Sequence, residues 1–109
     1  MDVIFTPKVL LYFEDLIITL YDSEYFGFLE TSERYVDELI EDIKLNLPTL
    51  PSKPAPKYFD KYGKNMEYAV FRKNKNTTWY VFFRLYRKNG ENFYQIRYIG
   101  NNHTIAQYL

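Results

Sequence analysis

The sequence predicts an α+β domain in which a helical hairpin precedes a three-stranded antiparallel sheet, and three observations carry that expectation. Apolar residues recur at helical spacing through two N-terminal segments, aromatic-rich runs of strand character fill the C-terminal half, and Asn89-Gly90 marks a tight hairpin between two of those runs. The 109 residues fit a single domain, 1–109, that buries about two-thirds of the surface its unfolded form exposes, enough for one core.

Val3-Ile4-Phe5 reads as an edge strand, ended by Thr6-Pro7, where threonine can cap a helix whose first turn accepts proline. Val9, Leu10, Phe13, Leu16, Ile17 and Leu20 then share one helical face, with Glu14, Asp15 and Asp22 off it, so the first helix is placed at 7–22. A second cycle begins after Thr31-Ser32, with Val36, Leu39, Ile40, Ile43 and Leu47 on one face, and stops before Pro48. A short connection around Gly27 makes antiparallel packing of the two helices the expected arrangement. Pro48, Pro51, Pro54 and Pro56 turn 48–57 into an extended connector, uncomfortable for a helix or a central strand.

Asn89-Gly90 is the residue pair of a type I′ turn, and a two-residue turn fixes register. Counting outwards pairs Lys88 with Glu91, Tyr86 with Phe93, Arg84 with Gln95, Phe83 with Ile96, Phe82 with Arg97, Val81 with Tyr98 and Tyr80 with Ile99. One face then carries Trp79, Val81, Phe83, Leu85, Tyr94, Ile96 and Tyr98 and is expected against the helices. The other, expected to be open, carries Tyr80, Phe82, Arg84, Tyr86, Phe93, Gln95, Arg97 and Ile99. A further strand at about Met66 to Lys73 joins through a turn at Asn74-Lys75-Asn76.

The formal net charge of zero conceals a division: residues 1–56 hold four basic and eleven acidic side chains, and residues 57–109 hold ten and three. The halves therefore carry −7 and +7, and the basic half can attract phosphates although the whole is neutral. The absence of cysteine excludes disulfides, thiolate metal sites and thiol nucleophiles and suits the cytoplasm. No apolar stretch is long enough to span a membrane, and neither a cofactor nor a metal is called for: a single histidine excludes multi-histidine sites, and no phosphate loop or Ser/His/Asp set occurs.

A sheet face of arginine, tyrosine and phenylalanine suits nucleic acid, because aromatic planes stack bases and guanidinium groups bind phosphate bidentately. Arg84 and Arg97 fall diagonally across paired strands, with Cβ atoms about 7 Å apart, close enough to share one phosphate. Tyr80, Phe82 and Tyr86 are candidate base-stacking residues and Arg72 a further RNA contact. His103 is a candidate acid–base group; it stands six residues past Arg97, about 20 Å along a continuing strand, and reaches the arginines only if the chain turns back at Gly100-Asn101-Asn102.

The order of strand, helical hairpin, aromatic strand at Thr78-Trp79-Tyr80-Val81-Phe82-Phe83 and closing stretch at Tyr98-Ile99-Gly100-Asn101-Asn102-His103-Thr104 resembles the RelE/ParE superfamily of toxins from bacterial type II toxin–antitoxin systems. The resemblance implies a protein held inactive by a small cognate antitoxin. Once released, such a protein either cuts mRNA, as RelE-like endoribonucleases do on the ribosome, or poisons DNA gyrase without catalysis, as ParE-like toxins do. A third possibility is a toxin-like domain that only binds a partner. RelE-like nucleases place a basic residue where this chain has Tyr80 and another where Asn101 and Asn102 stand, while Tyr108 matches a tyrosine of that pattern. With the basic charge on the sheet half, mRNA cleavage is the favoured expectation, with Arg84, Arg97, His103 and Tyr108 as its catalytic residues.

Overall fold

Both helices form where the apolar spacing places them. In the computed structural model, which describes residues 2–22 and 29–109, helix α1 spans Pro7–Asp22 and turns Val9, Phe13 and Leu16 inward. Proline at its first position removes an N–H that would lack an acceptor in any case, and the Thr6 carbonyl accepts from Val9 and Leu10 at 3.0 and 3.1 Å. Helix α2 spans Leu29–Asn46, beginning ahead of the expected Thr31-Ser32 start; Ser32 lies wholly buried on its inner face beside Val36, Leu39 and Ile43. The connection expected around Gly27 lies outside the described residues.

The sheet has five strands rather than three. They are β1 (Asp2–Phe5), β2 (Lys53–Pro54), β3 (Glu67–Arg72), β4 (Thr78–Lys88) and β5 (Glu91–Asn101), in the order β1-β5-β4-β3-β2. β1 lies parallel to β5 and the other pairs are antiparallel, so the sheet is mixed. β1 is the expected edge strand, and β2 is the unforeseen one, at the other edge, where proline is tolerated because its nitrogen has no ladder bond to make; Pro54 sits opposite Glu67 on that strand. The proline connector is correspondingly less extended than its composition implies: a 3-10 turn at Leu47–Thr49 precedes β2 and a 3-10 segment at Lys57–Tyr62 follows it.

Asn89 and Gly90 adopt φ of 53° and 80°, the positive values a type I′ turn requires. Pairing runs as expected from Lys88 and Glu91 to Phe83 and Ile96, and there it departs. The next residue, Phe82, pairs with Tyr98, and Val81 with Ile99, which leaves Arg97 as the extra residue of a β-bulge. The expected pairs Phe82–Arg97, Val81–Tyr98 and Tyr80–Ile99 are thereby corrected, and Ile99 and Tyr98 exchange faces.

Two cores result. On the helical side, the inner faces of α1 and α2 cover Ala69, Phe71, Trp79, Val81, Phe83, Tyr94, Ile96 and Ile99, and the Trp79 indole N–H donates to the Tyr35 hydroxyl at 3.0 Å. On the far side, expected to be open, Phe59 and Met66 join Phe82 and Ile105, ringed by Tyr62, Tyr68, Tyr80, Tyr98 and Tyr108. Phe59 stacks on Phe82 with ring centres 4.3 Å apart, and both are 0 % exposed. Ile105 belongs to α3 (Asn102–Ile105), a short helix that leads into a last 3-10 turn.

The cover ends before the hairpin does. β3 stops opposite Phe83, so Leu85, expected in the core, has a strand neighbour on one side only and is 46 % exposed. Phe59→Ala should therefore lower unfolding free energy by about 3–5 kcal/mol, whereas Leu85→Ala should change it by less than about 0.5 kcal/mol. Urea unfolding midpoints of the two variants check this.

Candidate phosphate-binding face

The part of the far face that the second core leaves uncovered is the stretch of β4 and β5 between the bulge and the hairpin turn. It presents Arg84, Tyr86, Gln95 and Arg97, since residues two apart on a strand share a face. Arg97 donates from Nη2 to the Tyr86 hydroxyl at 2.6 Å and from Nε to Gln95 Oε1 at 2.9 Å. The Arg84 guanidinium carbon stands 5.3 Å from the centre of the Tyr86 ring, within cation–π range. Tyr86 thus joins the two arginines, one at its ring and one at its hydroxyl. Arg84 and Arg97 share the face that the hairpin register assigns them, and each contacts Tyr86.

Arg97 is held from the other side by Gly63, the residue after the 3-10 segment. Gly63 has φ of +150°, and a Cβ there would stand 2.8 Å from Arg97 Nη1 and 3.0 Å from its Cδ, so no side chain fits without displacing the guanidinium. Among the described residues no carboxylate pairs with Arg97. Beside it lies an open groove of about 560 Å³, whose walls include Thr6, Lys8 and Leu11 from the start of α1 and Tyr62 from the 3-10 segment. A partly buried guanidinium satisfied only by neutral oxygens retains its full charge for an incoming anion.

His103 and Tyr108 do not join this cluster. The chain does turn back at Asn101, whose side chain caps α3 by accepting from the His103 N–H at 2.9 Å. The turn carries His103 to the opposite end of the sheet, where its Nε2 lies 3.4 Å from Thr77 Oγ1 and Asn102 ties Thr78 N–H to the Asn76 carbonyl. Asn101 pairs with Trp79, five residues from Arg84 and about 17 Å along the strand. Tyr108 stacks on Tyr58 with ring centres 3.7 Å apart and planes 1° apart. Hydrogen bonding with Lys61 holds the Tyr58 phenol below its ordinary value, and Tyr108 acts in the same direction.

The residues expected to stack bases divide similarly. Phe82 lies buried between Phe59 and Tyr68 and has no free ring face; Tyr80 is half-buried at the rim of the same core. Arg72 is exposed at the end of β3 opposite Thr78, on the His103 side of the sheet. Only Tyr86 of the three aromatics remains with the arginines. Sequence reasoning missed Lys8, Tyr62 and Gly63. Gly63 alone carried a signal, being a single glycine in the polar run Lys61-Tyr62-Gly63-Lys64-Asn65.

The described residues contain no group of three or more histidine, aspartate and glutamate side chains placed to hold a metal, and no helix long and apolar enough to cross a membrane. Comparison with family models, with curated proteins and with solved structures finds no match.

Two tyrosines at the edge of the groove are perturbed. Burial pushes the Tyr98 phenol up, with neighbouring Tyr62 adding to the effect. Burial also pushes Tyr12 up to about 12, with Tyr35 second. A phenol whose folded value exceeds its unfolded value of 10.0 gives stability that is whole below pH 10 and is lost as pH rises towards 12. Ultraviolet titration at 295 nm should show Tyr12 ionising late, absent from the main phenolic step in wild type and identified by comparison with Tyr12→Phe. The Phe variant should also lose less stability between pH 10 and pH 12.

Proposed function

We propose that the chain is a toxin of the RelE/ParE type that acts on mRNA, and that the Arg84–Tyr86–Arg97 cluster is where the RNA phosphate binds. One observation carries the reading: two arginines meet on the uncovered part of the sheet around a single tyrosine, with no carboxylate among the described residues to neutralise Arg97. The guanidinium groups hold a phosphodiester bidentately and stabilise the charge that develops when the 2′-hydroxyl attacks it. The Tyr86 hydroxyl accepts from Arg97 through its oxygen and is placed to give its proton to the leaving oxygen, while the proton of the attacking 2′-hydroxyl passes to water, which then reprotonates Tyr86. His103 and Tyr108, given proton-transfer parts by the family resemblance, have no such part in this proposal because they are engaged elsewhere. Such a protein works in the cytoplasm and is kept silent by a cognate antitoxin that covers the same cluster.

The placement of His103 at the opposite end of the sheet, and of Tyr108 against Tyr58, favours one second reading, a ParE-like toxin that binds DNA gyrase and performs no chemistry. A double substitution separates the two. Wild-type protein should arrest growth and fragment mRNA, and Arg84→Ala with Arg97→Ala should lower the cleavage rate by about 10²–10³-fold while the purified variant remains folded. Unchanged cleavage by the double variant contradicts the proposal. Intact mRNA together with blocked gyrase supercoiling establishes the second reading instead.

A further inference from the structure

We propose that Lys8, at the start of α1, is a phosphate-binding residue, and that the groove between α1 and the bulge takes a further phosphate of the strand held at Arg84 and Arg97; this rests on the RNA-binding reading above. Topology brings Lys8 there. β1 ends with Phe5 paired to Ile96, and the Thr6 N–H donates to the Ile96 carbonyl at 3.2 Å, so α1 begins beside the next residue of β5, Arg97. Two hollows of about 560 and 180 Å³ meet there and share Lys8, Tyr62 and Arg97 in their walls.

Three features, all among the described residues, make this groove an anion site rather than a gap. No acidic side chain lines either hollow. Arg97 uses Nε and Nη2 for neutral partners, which leaves Nη1 without an acceptor. Finally, Pro7 has no N–H and the N–H groups of Val9 and Leu10 are taken by the Thr6 carbonyl, so the Lys8 N–H is the free donor at the positive end of a 16-residue helix. A phosphate in the groove would meet two cations and the unused Lys8 N–H and would displace no ion pair.

The wall on the opposite side is Tyr62, whose ring is already stacked on Tyr98 at 4.0 Å between centres and has Lys61 5.4 Å from its own centre. Its plane is occupied, so the groove recognises the phosphate and not a base. The contribution of Lys8 is therefore electrostatic and independent of sequence.

Salt dependence reads such a contact directly. Removing one cation that neutralises a phosphate of a single-stranded ligand lowers the slope of log K against log salt by about 0.7. Anisotropy of a labelled single-stranded RNA, measured from low to moderate KCl, should show Lys8→Ala binding several-fold more weakly at low salt with its slope reduced by that amount. Lys8→Arg should restore both, and Lys44→Ala, on the exposed face of α2, should change neither. Lys8 is exposed, so the alanine variant keeps its fold. A Lys8→Ala slope equal to that of wild type, with Arg84→Ala still reducing it, overturns the inference alone; an arginine that fails to restore binding does the same. Wild-type protein that binds no RNA overturns this inference and the functional proposal together.

Discussion

The extra residue in β5 is the constraint on which the rest of the molecule depends. A strand without it would keep one alternation from the hairpin turn to its end, with Tyr98 under the helices and Ile99 facing out. With Arg97 inserted opposite the Phe82 step, Ile99 enters the helical core and Tyr98 enters the far one. Arg97 itself stays on the face that carries Tyr86 and Gln95, two residues past Gln95. One irregularity therefore completes both cores.

The second constraint is the aromatic cover. Phe82 demands burial on the face away from the helices, and Phe59, Tyr68 and Tyr98 supply it with rings 4.3 to 5.7 Å from its centre. Gly63 follows that cover and lets Arg97 pass beneath it. The far face is consequently divided into a closed half, where rings pack on rings, and an uncovered half near the hairpin, where arginine and tyrosine face outward. The basic charge of the C-terminal half then has a location, since a closed aromatic layer offers phosphate nothing and the hairpin half offers it two guanidinium groups.

Local chemistry made much of this readable and non-local packing hid the rest. Pro7 and the apolar spacing place α1 at its observed bounds, and Asn89-Gly90 sets the register for the first six pairs. The bulge left no mark, because Tyr98 and Ile99 are both suited to a buried strand face and the alternation of Tyr94, Ile96 and Tyr98 continues through it unbroken. The covered face carried one clearer signal: Phe59, directly after the prolines, is a large apolar ring that requires burial, and the far face of the sheet was the surface still lacking a cover. Arg84 and Arg97 were placed on one face by the hairpin register, which holds through Arg84–Gln95 and Phe83–Ile96 and fails only beyond them. Lys8 was invisible, since an exposed lysine in a first helical turn acquires meaning only from the parallel pairing of β1 with β5.

The register of β4 against β5 in solution is the most direct test of this account. Nuclear Overhauser contacts across the two strands should link Val81 with Ile99 and Phe82 with Tyr98, and the Arg97 side chain should contact the Tyr86 ring. Contacts linking Phe82 with Arg97 and Val81 with Tyr98 would show an unbroken strand, which returns Tyr98 to the helical side and removes the basis of both cores.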